Sequence, residues 1–157
     1  MPDTNPKPKT GAIALAIVAL VWTGMVIGVS GLATPVKFQA SSLSLPVALE
    51  VGHVTFRAFS RVEWLLTLLL LLSGAMAGLR ARAGLWLPIG LIAAVVLAQA
   101  FWLLPVLDAR IAAVISGNPF PPSHVHLFYV IAEGAKLVML LAIGIIALRE
   151  AVAGRTG

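Results

Sequence analysis

Residues 124–148 read HVHLFYVIAEGAKLVMLLAIGIIAL. An α-helix needs ~20 apolar residues to cross a bilayer, and this run is longer. No proline interrupts it. Two charged side chains stand inside it, Glu133 and Lys136. With His126 and Tyr129 they form a narrow stripe, because successive helical residues turn by about 100°. An ionisable group in the hydrocarbon costs several kcal/mol, on the order of ~3 on insertion scales. The stripe should therefore face protein, water or its own members. The opposite face, of Leu, Val, Ile, Ala and Gly, should face lipid or a packed neighbour.

Working outward, three more runs have spanning length. The first covers residues 11–33, and Thr34-Pro35 is expected to end it, since proline disfavours helix in the residue before it. The second ends at Leu79 and is most apolar over 62–79. Pro46 can open it, because residues 47–61 contain no proline and can extend the helix beyond the membrane as an amphipathic segment. The third runs from Gly84 to about Leu107, where Asp108 and Arg110 are expected to cap the helix end. The breaker Gly117-Asn118-Pro119-Phe120-Pro121-Pro122 follows, and Ser123 is a suitable N-cap for the last helix. The expected fold is all-α: a four-helix transmembrane bundle with antiparallel neighbours. Residues 1–10 form a disordered cytoplasmic tail, 11–151 a single membrane domain and 152–157 a short cytoplasmic tail.

Composition agrees. Hydrophobic residues make up 60% of the 157-residue chain and charged residues 11%. A soluble domain has about a quarter charged residues. There is no cysteine, which excludes disulfides and thiol chemistry. The net charge of +5 does not point to nucleic acid, because the cations are scattered and form no basic stripe. They read as topology signals. Lys7, Lys9, Arg80, Arg82, Arg149 and Arg155 share the side of the termini, while Lys37, Arg57, Arg61 and Arg110 belong to the other. That bias implies cytoplasmic termini in a bacterial inner membrane.

The second helix offers a polar face to meet the stripe. His53, Arg57 and Arg61 fall close to Glu50 on a helical wheel, with Glu63 at the edge of the same arc. Counting ~1.5 Å per residue from the cytoplasmic ends puts Glu63, Glu133 and Lys136 in the outer leaflet. Gln99 on the third helix, and Thr23 and Ser30 on the first, reach the same half. The inner half is almost wholly apolar. The expected site is a pocket of Glu63, Glu133 and Lys136, surrounded by Arg57, Arg61, His126, Tyr129 and Gln99. It would bind or conduct a small polar or ionic ligand, or protons. The alternative is a non-catalytic subunit whose charged stripe pairs with a partner protein or a second copy. A more remote option is axial ligation of haem by His53 and His126; otherwise no cofactor or metal is implied, and enzymatic activity is not expected. Gly24 with Gly28, and Gly74 with Gly78, form GxxxG pairs expected to pack the first two helices together. Trp64, Trp86 and Trp102 read as interfacial anchors, and Trp22 as packing.

The stretch from Gly24 through Thr34-Pro35-Val36-Lys37-Phe38, followed by Ala48-Leu49-Glu50-Val51-Gly52-His53-Val54-Thr55-Phe56, resembles the transmembrane protein 205-like family. Those are small four-helix membrane proteins with a proline and phenylalanine after the first span and a glycine-phenylalanine element leading into the second. The likeness covers the first half of the chain. The later segment PPSHVHLFYVIAEGAK only loosely resembles the family's histidine-bearing entry to the last helix. The resemblance implies a four-helix bundle and little about chemistry.

Overall fold

The computed structural model describes residues 9–78, 83–118 and 122–153. Four helices are each long and apolar enough to cross a membrane: α1 (Thr10–Lys37), α2 (Leu45–Met76), α3 (Gly84–Ile115) and α4 (Val125–Ala153). The protein is an integral membrane four-helix bundle. Of the cations used for topology, Lys7, Arg80, Arg82 and Arg155 lie outside the described residues.

Each helix packs against its chain neighbour, and α4 closes the ring against α1. The core lies towards the end of the bundle that carries the termini. Leu15, Ala19 and Trp22 of α1 meet Leu70 of α2, Ile89 and Ile92 of α3, and Leu140 and Ile143 of α4. The outward faces expose Ile17, Leu65, Leu87, Phe101 and Val138, as a lipid-facing surface requires.

The small-residue seam is not where the GxxxG pairs place it. Gly24 is exposed, and a Cβ built on Gly24 or Gly28 meets no atom within 4 Å. Gly78 ends α2 in the left-handed region, with φ +70°, a conformation that favours glycine just past a helix end. Only Gly74 of the four is buried. The close seam runs between α1 and α4, where Ala12, Ala16 and Ala19 face Gly144, Ala147 and Ala151. Without a hydrophobic drive in lipid, association favours surfaces that let backbones approach. A second close approach joins Gly11 to the end of α2: a Cβ there would lie 2.6 Å from Ala77 Cα.

Two helices continue where proline was expected to stop them or where an end was placed early. Thr34-Pro35 does not end α1, which runs on to Lys37. α3 passes Pro105 and Leu107 and reaches Ile115, so Asp108 and Arg110 stand within a helix and do not cap its end. The cause is the same in both. A π-helical turn, Ile27–Ala33 in α1 and Gln99–Leu103 in α3, precedes each proline. The Thr34 N–H donates to Val29 O and the Leu104 N–H to Gln99 O, each five residues back. Proline disturbs an α-helix by removing one amide and crowding the carbonyl four residues earlier. A wider turn immediately before it relieves that conflict, and π-turns recur at functional sites.

The remaining ends follow local chemistry. Pro46 lies in the first turn of α2. Ser123 Oγ accepts from Val125 N–H at 3.2 Å at the start of α4.

Candidate functional site

All four helices send polar side chains to one point. Glu63 comes from α2, Gln99 from α3, and Glu133 and Lys136 from α4. Each is buried, with exposures of 1%, 1%, 5% and 0% respectively. Lys136 Nζ sits at the centre. It donates to Glu63 Oε1, to Glu133 Oε1 at 2.6 Å and to Gln99 Oε1 at 2.9 Å. The Gln99 amide returns a bond to Glu133 Oε1 at 2.7 Å, so it bridges ammonium and carboxylate.

α1 completes the shell. Trp22 Nε1 donates to Glu63 Oε1 at 3.2 Å, and Ser30 Oγ donates to Glu133 Oε2 at 2.9 Å. Trp22 is therefore more than packing. Thr23, at similar depth, spends its hydroxyl on its own helix, on Ala19 O. The two π-turns matter here: Ser30 lies in one and Gln99 in the other, and both bond Glu133.

The charge count is odd. Two carboxylates face one ammonium, an excess of one negative charge if all three ionise. Isolated buried charge is costly, and a pair in low dielectric is tolerated only when closely bonded. Electroneutrality there would take one more positive charge.

The expected open pocket resolves into two levels. The network is closed: Glu63, Glu133 and Lys136 are buried and lie off the loop-end cavity. Toward the loop end lies a cavity of about 370 Å³ among all four helices, with Tyr129 and His126 in its lining. Tyr129 is one turn from Glu133 and is buried, with its ring 5.4 Å from that of Phe56 in edge-to-face contact. Leu103 and Leu104 pack around it. This layer separates cavity from network.

Arg57 and Arg61 do not join the network. Arg57 Nε donates to Asp108 Oδ2 at 3.0 Å, and Arg61 is exposed beside it on an outward groove between α2 and α3. His53 Nδ1 lies 2.7 Å from Asp108 Oδ1, at ion-pair distance but without an aligned hydrogen bond. His53 and His126 both border the cavity, His126 with its side chain exposed. Among the described residues no group of three or more His, Asp or Glu side chains converges as a metal site.

Asp108 was expected as a helix cap and not as part of the site. On an uninterrupted α-helix it would lie about 180° from Gln99, at 100° per residue. The π-turn between them absorbs one residue and brings the two to within roughly 80°. Both then face inward. The available signal was pairing: an acidic residue opposite the Arg57 and His53 face of α2.

No family model, curated protein or solved structure matches the chain.

Proposed function

We propose that this small polytopic membrane protein takes up and releases a proton, or a small monovalent cation, at the Glu63–Lys136–Glu133 network, from the side of the loop-end cavity. The observation that carries this reading is the charge count. Two carboxylates share one ammonium in a buried site, with donors from α1, α3 and α4 already engaged. A purely structural pair needs one carboxylate for one lysine. The second carboxylate supplies a place where a proton or cation can come and go without leaving a net buried charge.

In this reading Lys136 holds both carboxylates, while Trp22 donates to Glu63, and Ser30 and Gln99 donate to Glu133. Tyr129 covers the network on the cavity side. The termini are cytoplasmic in a bacterial inner membrane, so uptake is from the opposite side. The family resemblance adds an architecture and no chemistry. A partner subunit is not needed to satisfy the stripe, since Glu133 and Lys136 pair within the chain.

The test is infrared difference spectroscopy on protein in nanodiscs as pH or sodium concentration changes. A protonated-carboxyl band that titrates, and disappears in Glu63→Gln or Glu133→Gln, supports proton uptake. A band that sodium displaces supports cation exchange. If no carboxyl signal responds to either ion, the network is a static brace and the proposal fails.

A further inference from the structure

The cavity above the network has its own chemistry. Its volume of about 370 Å³ falls within the ~300–1,000 Å³ range of small-molecule sites. Its walls are apolar, supplied by Phe38, Phe56, Leu104, Leu107 and Ile111. Two basic side chains other than histidine line it, Lys37 and Arg110; Arg110 is engaged in an interaction of its own, and Lys37 stands out. Lys37 is half-buried, at the end of α1. Its ammonium lies 5.0 Å from the centre of the Phe38 ring and packs on Gly52, in the space a Cβ at that position would fill. No carboxylate pairs with it among the described residues.

The one acidic group on the lining is already engaged. Asp108 takes Arg57 on one oxygen and His53 on the other. Lys37 therefore offers a positive charge to an apolar chamber whose own anion is neutralised. A ligand that fits has an apolar body and a single negative head.

We propose that this cavity binds a free medium-chain carboxylate, with the carboxylate on Lys37 and the chain between Phe56, Leu104 and Leu107. An ammonium–carboxylate contact is charge-assisted and gains strength where water is thin. The apolar chain alone gains little, because lipid is an equally good solvent for it; the head group decides the site. This site is separate from the Glu63–Lys136–Glu133 network, and its occupancy does not depend on ion uptake there.

The experiment uses the full chain in phosphatidylcholine nanodiscs, with decanoate, decanol and acetate as probes. Direct binding is measured by equilibrium dialysis, and thermal stability in parallel. Decanoate is expected to bind saturably and raise the melting temperature, while decanol and acetate do neither. Lys37→Gln should weaken decanoate binding roughly tenfold, the loss of about one charge-assisted contact. Leu107→Trp fills the chamber and should abolish binding. Glu133→Gln should leave it unchanged, which keeps a failure here distinct from a failure of the ion-uptake reading. Equal effects of decanol and decanoate would mean partition into the lipid belt only and would overturn the proposal. So would an unchanged affinity in Lys37→Gln. The comparison of the three probes on the unaltered chain stands even if the Trp variant does not fold.

Discussion

Lys136 is fully enclosed, and everything around it is an acceptor or an acceptor's support. Removing it should be worse than removing either partner. Lys136→Met leaves two carboxylates facing each other in a dry site, and breaking a buried ion pair by deleting one partner costs about 3–5 kcal/mol. Glu63→Gln is expected to be much milder. It cancels the excess negative charge, and an amide can still accept from Lys136 and Trp22. Thermal unfolding of the two variants in the same detergent checks the order: Lys136→Met far below the parent, Glu63→Gln close to it. A reversal would show that the lysine, and not a carboxylate, carries the uncompensated charge.

The interfaces between elements set which glycines matter. Gly11→Ala would press a Cβ into the backbone of Ala77, which cannot yield as a side-chain tip can. Overpacking of this kind costs about 1–3 kcal/mol. Gly24→Ala meets open space and replaces a poor helix former, so stability should hold or rise by up to ~1 kcal/mol. Melting temperatures measured side by side separate the α1–α2 seam at Gly11 from the lipid-facing Gly24. The π-turns make a second prediction at this scale. Pro105→Ala removes the reason for the wider turn in α3. If the helix reverts to α geometry, Gln99 or Asp108 must rotate away from its partner. Hydrogen exchange at Gln99–Leu103 should then slow, as regular bonding replaces the π pattern. Unchanged exchange would show that packing, not proline, holds the turn.

The whole molecule has two distinct ends. The end with the termini is apolar and tightly packed; the loop end holds the network, the cavity and the Asp108 cluster. With four crossings, reporter fusions at Ser42 and Asn118 should report one side of the membrane and a fusion after Gly157 the other. On the reading proposed above, the termini are the cytoplasmic side. A shared side for Asn118 and Gly157 would contradict the passage of α4 through the bilayer.

Glu63 on α2 and the stripe on α4 were legible, because both helices keep an α period through the membrane and a wheel drawn at 100° per residue stays true, whereas Arg57 and Arg61 of the same α2 arc turn to Asp108 and an outward groove. The sequence by itself determined that the chain lies in lipid, that it crosses four times, and that Glu63, Glu133 and Lys136 share one depth, since bilayer thickness and the cost of buried charge leave few other arrangements. It could not determine how α1 and α3 turn after their π segments, because that depends on how proline is accommodated against neighbouring helices. Nor could it show that the α1–α4 alanines, and not the GxxxG glycines, form the close seam. Small residues permit approach anywhere; only the assembled bundle decides which of them are approached. The same holds for the site. Spacing gave the stripe on α4, but the closure of its charges by Trp22 and Ser30, and the separation of the network from the cavity by Tyr129, arise only where four helices meet.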